Sequence, residues 1–99
     1  MLIMQTLKFP WDKMVDVAKT FARVESESPL PSYVKRTGPY GTNTGEHKVV
    51  VILEVEKGRE DEAIKEQTKR LIPFYSIEGL KITWEIMLPV RELMSMLPL

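Results

Sequence analysis

His47 is the first residue to consider for chemistry, because it is the only histidine of the chain and histidine gains or loses a proton near neutral pH. Glu46 precedes it, and a carboxylate can orient an imidazole that acts as a general base. Neighbouring residues of a strand point to opposite faces, however. We therefore expect His47 to be exposed at the start of a strand. One histidine without any cysteine gives no metal-ligand spacing, so neither a metal site nor a cofactor is predicted.

A second set of residues predicts a pocket for a small, partly apolar molecule. Gln5 alternates with Ile3 and Leu7, so its amide would face the helices, and Trp84 would share that side of the sheet. A mostly apolar pocket with few polar anchors is typical of ligand sites, and Arg36 would anchor an anion at its rim. The alternative is that the aromatic residues, together with Met14 beside them and including Phe74, only fill the core. The predicted ligand-binding residues are Gln5, Trp84, Trp11, Phe21, Tyr75, Arg36, Tyr40 and His47.

The segment 38–45 holds three glycines and two threonines, and its composition predicts a loop. Glycine-rich loops can bind phosphate through backbone N–H groups. No Gly-Lys-Ser/Thr sequence is present, and a strand instead of a helix follows. We therefore expect a connection between two strands of a β-hairpin.

The spacing of the apolar residues predicts the strands and helices that position these side chains. Period-two stretches predict strands and period-3.6 stretches predict helices. The predicted strands cover 2–8, 33–37, 47–56 and 80–88, and the predicted helices cover about 10–25, the segment between Gly58 and Pro73, and a short segment after Pro89. The order β-α-β-β-α-β predicts a ferredoxin-like α+β fold, with an antiparallel four-stranded sheet and two helices on one face. At 99 residues, a single domain over 1–99 is expected.

The second face of this sheet predicts a homodimer. Two helices cover only one face, and an exposed apolar patch is unusual in a soluble monomer. A two-fold axis would pair basic residues such as Lys8 with acidic residues of the other chain. The alternative is that the C-terminal helix covers the face within one chain. The predicted interface residues are Met4, Val50, Ile52, Glu54, Lys81, Glu85 and Met87.

Composition excludes several classes of protein. Lysine plus arginine equals aspartate plus glutamate, 14 each, whereas nucleic-acid binding needs a basic surplus, so no nucleic-acid partner is predicted. The longest apolar run is 49–53, far short of the ~20 residues of a membrane helix, so no membrane association is predicted. The absence of cysteine fits a cytoplasmic protein, and that location is expected.

The layout resembles the dimeric α+β barrel superfamily, and in particular its small uncharacterised families. The resemblance rests on the opening Met-Leu-Ile-Met at 1–4, the Leu-Pro turn at 30–31, the valine-rich strand at 49–54 and the Glu-Ile-Met-Leu-Pro segment at 85–89. It implies a dimer whose ligands lie between the sheet and the helices. Relatives that degrade haem use an asparagine, a tryptophan and a histidine, but Gln5 or Thr6 stands at the asparagine position here, and the second helix has no histidine.

Three functions remain open at this point. The favoured one is a homodimer that binds a small, partly apolar ligand without assigned catalysis. The second is a cofactor-independent monooxygenase or isomerase of the same fold, since dry pockets with few polar groups suffice when the substrate supplies the reactivity. The third is a regulatory or interaction module, because a fold does not fix a function.

Overall fold

The computed structural model describes residues 1–42 and 47–98. The strands and α-helices within these residues are, in chain order, β1 (Leu2–Lys8), α1 (Met14–Glu27), β2 (Val34–Thr42), β3 (Lys48–Val55), α2 (Glu60–Leu71), β4 (Lys81–Met87) and α3 (Val90–Ser95). Two short 3₁₀ turns are also present: Trp11–Lys13 precedes α1, and Ile72–Ser76 follows α2.

The four strands form one antiparallel sheet in the order β2-β3-β1-β4. This order and the β-α-β-β-α-β succession confirm the predicted ferredoxin-like α+β fold. The central strands β1 and β3 are paired directly, and β2 and β4 form the edges. None of the helices in the described residues is long and apolar enough to cross a membrane.

Local sequence explains where the helices begin and end. Pro10 has φ −64° and ψ 151°, an extended conformation that starts the turn before α1. The first turn of α2 is acidic and its last turn is basic, which matches the charge of each helix end. Pro73 stands within the 3₁₀ turn after α2, where it ends the α-helical hydrogen bonding.

β2 is longer than predicted, since it runs through Gly38, Pro39 and Tyr40 to Thr42. The expected loop at 38–45 was therefore wrong for 38–42, and 43–46 lie outside the described residues. The pairing with β3 shifts register between Thr37 and Tyr40, and Gly38 takes φ +95° there, as in a β-bulge. Pro39 lies between Thr37 and Tyr40, where the register shifts, and edge strands and bulges are the parts of a sheet that tolerate proline.

The core lies between one sheet face and the helices. Ile3 and Leu53 are the largest fully buried side chains, and they are cross-strand partners on β1 and β3. From α1, Val17, Phe21 and Val24 contribute to the core, at the spacing of one helical face. The helices thus pack against the alternating residues that the period-two pattern of β1 and β3 predicts.

Three side chains expected to face inward from the helices are exposed instead. Trp11 and Tyr75 are 62% and 63% exposed, and Met14 is about half exposed. Trp11 lies in the 3₁₀ turn before α1, and Tyr75 lies in the 3₁₀ turn after α2, where Phe74 takes the buried position. For Trp11 and Tyr75, the expectation failed because these turns do not continue the 3.6-residue period of the adjoining helices. Met14 is the first residue of α1.

The second face of the sheet, which we call the open face, carries the predicted interface residues. Cross-strand pairing places Met4 beside Ile52, and Thr6 beside Val50. The open-face residues Met4, Val50, Ile52 and Met87 are half-buried. No residue of α3 is buried, so this helix is not packed over the face, contrary to the alternative considered from sequence.

Candidate functional site

Gln5 and Trp84 lie side by side, as the sequence predicts. They are cross-strand partners on β1 and β4, and Gln5 also pairs with Val51 of β3. Gln5 is 4% exposed, and Trp84 is half-buried against the core. Their position on the helix-facing side is confirmed, because the pleat of β1 places Gln5 on the same side as buried Ile3 and Leu7.

A cavity of about 40 Å³ lies between the sheet and the helices, next to Gln5. Apolar side chains from β1, β3, α1 and α2 form most of its wall. The polar lining residues are Gln5, Arg36, Gln67 and Arg70. A volume of this size holds a few waters or one small functional group, and it is far below the roughly 300–1,000 Å³ of pockets for drug-sized ligands.

Glu25 of α1 joins the two guanidinium groups of the cavity wall. Its Oε1 accepts hydrogen bonds from Arg36 and from Arg70, and the Arg70 Nη2–Oε1 distance is 2.6 Å. Arg70 also donates to the backbone carbonyl of Ser28. Burial raises the pKa of the Glu25 carboxyl, but the hydrogen bonds from Arg36 and Arg70 outweigh it, so the pKa lies below its ordinary value. Glu25 is therefore a carboxylate at neutral pH.

Two amide groups in the cavity wall lack acceptors. The Nε2 atoms of Gln5 and Gln67 are buried without a hydrogen-bond partner in the described part of the chain, and Gln67 is only 3% exposed. An unsatisfied buried donor costs about 1–3 kcal/mol. A molecule that brings acceptor atoms into the cavity would remove this cost.

The mouth of the cavity lies beside the lining residues that are partly exposed to solvent. Phe21, Leu30 and Arg36 are half-buried, in contrast to the other lining side chains, which are buried. The Arg36 guanidinium carbon lies 5.3 Å from the centre of the Phe21 ring, within range of a cation–π contact. Phe21 and Leu30 thus offer apolar surface beside a charged group at the mouth.

His47 is buried, so the expectation of an exposed histidine was wrong. Its ring centre lies 4.1 Å from that of Trp11 and 5.0 Å from that of Phe9, and its carbonyl accepts a 3.1 Å hydrogen bond from the Phe9 N–H. These aromatic contacts remove the imidazole from water. Its Nδ1 has no hydrogen-bond partner within the described residues.

The remaining residues predicted from the sequence do not meet in one place. Phe21 and Arg36 line the cavity with Gln5, whereas Trp11 and His47 line a separate surface pocket with Lys81. Tyr75 is exposed in its 3₁₀ turn. Tyr40 pairs with Val50, so it lies on the open face and not at the cavity rim. The binding roles of these residues stay predictions.

Sequence reasoning missed Glu25, Gln67 and Arg70. The sequence does carry a signal for Gln67 and Arg70. The buried residues of α2 follow the spacing of one helical face, and they are Ala63, Gln67, Arg70 and Leu71. A glutamine and an arginine on the buried face of a helix indicate a polar group in the core. The position of Glu25 at the end of α1 gave no comparable signal.

The described residues contain no group of three or more histidine, aspartate or glutamate side chains arranged to hold a metal ion. Comparison with known proteins found no match, either to a protein-family model or to a curated protein. The fold and the cavity therefore carry the functional argument.

Proposed function

We propose that this chain forms a homodimer that binds a small, partly apolar molecule in the cavity between its sheet and its two helices. The observation that carries the proposal is the pair of buried amide donors, Gln5 Nε2 and Gln67 Nε2, which lack acceptors in a mostly apolar wall. Proteins rarely leave buried donors unpaired. A bound acceptor group accounts for both.

Cavity size limits what this ligand is. About 40 Å³ accommodates a functional group of a few heavy atoms. The rest of the molecule would lie at the mouth, against the half-buried Phe21 and Leu30. A ligand with a small polar head and an apolar body fits this site. Its acceptor atoms would lie inside the cavity, and its apolar part would lie between Phe21 and Leu30.

The dimer is supported by the exposed surface of the chain. A folded monomer of 11.5 kDa typically exposes about 5,800 Å², whereas this chain exposes 6958 Å². The excess of about 1,200 Å² exceeds the ~800 Å² that each partner buries in a standard interface. The open face, with Met4, Val50, Ile52 and Met87 half-buried, is the apolar surface that a second copy would cover.

The charged residues of the open face are also arranged so that those of two copies could pair. Glu54 and Glu85 lie towards one end of β1, beside Leu2 and Met4, where Lys35 of β2 is the cross-strand partner of Glu54, and Lys48 and Lys81 flank the other end of β1. A two-fold axis between the sheets and perpendicular to the strands would set the acidic end of one copy on the basic end of the other. A dimer is also what the resemblance to the dimeric α+β barrel superfamily implies.

Native mass spectrometry of the purified protein tests both parts of the proposal. The expected spectrum shows a dimer with added mass, and that mass leaves on collisional activation. A bare monomer over a micromolar concentration range would contradict the dimer. A dimer that never carries added mass, even after incubation with a mixture of small amphiphilic compounds, would contradict the ligand site.

A further inference from the structure

We infer that the ligand of this cavity is a small monocarboxylate with an apolar body, whose carboxylate binds between Arg36 and the side-chain amides of Gln5 and Gln67. This inference rests on the proposed function and names the chemical class of its ligand. All four polar lining residues of the cavity, Gln5, Arg36, Gln67 and Arg70, carry hydrogen-bond donors.

The charge of the residues around the cavity favours a monoanion. Glu25, Arg36 and Arg70 form one ion-paired cluster with a formal charge of +1, because hydrogen bonds from the arginines keep Glu25 ionised. No aspartate or glutamate among the described residues lines the cavity itself. Arg70 is only 7% exposed, so water screens this charge poorly. A ligand of charge −1 neutralises the cluster, and a dianion such as phosphate reverses its sign.

The number of unpaired hydrogen-bond donors in the cavity wall favours a carboxylate. Gln5 Nε2 and Gln67 Nε2 have hydrogen atoms but no acceptors in the described part of the chain. A carboxylate has two oxygens that each accept more than one hydrogen bond. It can therefore accept from both amides and still receive a charge-assisted bond from Arg36, which is the strong kind. A neutral alcohol or ether offers a single oxygen and cannot satisfy this set.

The size and the mouth of the cavity also fit a carboxylate with an apolar body. The cavity volume of about 40 Å³ matches a group as small as a carboxylate. The half-buried Phe21 and Leu30 at the mouth provide apolar contact for a short aliphatic or aromatic body. The Phe21 ring also lies against the Arg36 guanidinium, so one side chain contacts both the apolar body and the group that binds the charge.

The test compares two probes of the same chain length, hexanoate and hexanamide. The ¹H–¹⁵N signals of the Gln5 and Gln67 side-chain amides are followed during titration of the ¹⁵N-labelled protein. We expect both signals to shift, and hexanoate to bind at least about tenfold more tightly than hexanamide. Equal affinities would overturn the carboxylate inference and leave the proposed function in place. If neither probe moves either signal, the ligand site and the carboxylate inference fail together.

One variant and its control test whether Arg36 causes the preference for hexanoate. Arg36→Gln should remove the preference for hexanoate over hexanamide, because the cluster then has no net charge. Arg91→Gln, which removes the same charge from exposed α3, is the matched control and should leave both affinities unchanged. A preference that survives Arg36→Gln would overturn the inference.

Gln67→Met separates ligand binding from folding. Methionine fills a similar volume without the unpaired donor, so the ligand-free variant should be at least as stable as the wild type. Its affinity for hexanoate should nevertheless fall several-fold. A variant that binds hexanoate as the wild type does would show that Gln67 gives no hydrogen bond to the ligand, and would contradict the inference.

Discussion

Arg70 of α2 donates a 2.6 Å hydrogen bond to Oε1 of Glu25 on α1, 45 residues earlier in the chain. Arg70 is buried, whereas the Glu25 side chain keeps 30% of its exposure. The pair therefore links the two helices beside the candidate cavity. It also fixes one of the two guanidinium groups that give the cavity its positive charge.

Glu25→Gln should destabilise the protein, because it leaves the buried Arg70 without its carboxylate partner. We expect a loss of about 2 kcal/mol in the free energy of unfolding, as for other hydrogen bonds to charged groups, and urea denaturation measures it. Glu62→Gln is the control, since Glu62 pairs with Arg59 in an exposed i,i+3 salt bridge. It should leave the midpoint nearly unchanged. Equal effects of the two variants would argue against a structural role for the Glu25–Arg70 pair.

The stability of the wild type should fall in acid through Glu25. Its pKa is lowered in the folded chain from the ordinary value of 4.5, so below pH 4.5 the unfolded chain binds more protons than the folded one. The stabilising contribution is complete above pH 4.5 and is lost as the pH falls through the lowered pKa. Thermal unfolding between pH 7 and pH 3 measures this loss. Glu25→Gln should show a shallower decline, and a parallel decline in both proteins would disprove the assignment to Glu25.

Gly38→Ala should destabilise the protein more than Gly58→Ala. Both glycines have positive φ, +95° and +89°, which costs an alanine about 1–2 kcal/mol. A Cβ at Gly38 would also lie 2.9 Å from the Val50 carbonyl oxygen, whereas a Cβ at Gly58 meets no atom within 4 Å. We expect an additional loss of at least about 1 kcal/mol at Gly38, measured by urea denaturation. Equal losses would mean that β2 shifts to relieve the contact.

Ile52→Asp should weaken the proposed dimer. Ile52 lies at the middle of the open face beside Met4, so two symmetry-related carboxylates would be buried there without partners. Sedimentation velocity should show the dissociation constant rising at least about 100-fold, with an unchanged far-ultraviolet circular dichroism spectrum. The control, Val15→Asp, places the same charge on an exposed position of α1 and should keep the dimer. A dimer that tolerates Ile52→Asp would place the interface elsewhere.

The sequence alone determined the elements and their order, because strand and helix periods are local properties of the chain. The alternation of Ile3, Gln5 and Leu7 was enough to place Gln5 on the helix-facing side of β1. The alternation within β1 and β3 together also placed Met4 and Ile52 on the other face, where they are cross-strand partners. The limits of β2 were not predicted, because the register irregularity beyond Thr37 depends on pairing with β3 and has no period of its own.

Tertiary structure decided which of these residues share a site. Glu25 and Arg70 come together only when α1 and α2 pack on the same sheet face, and no local pattern encodes a contact between residues 45 positions apart. The same packing leaves Trp11 and Tyr75 exposed and encloses His47 between aromatic rings. Side-chain type and spacing thus determine which face a residue occupies, whereas helix–sheet packing determines which side chains meet across the cavity and which donors remain unpaired.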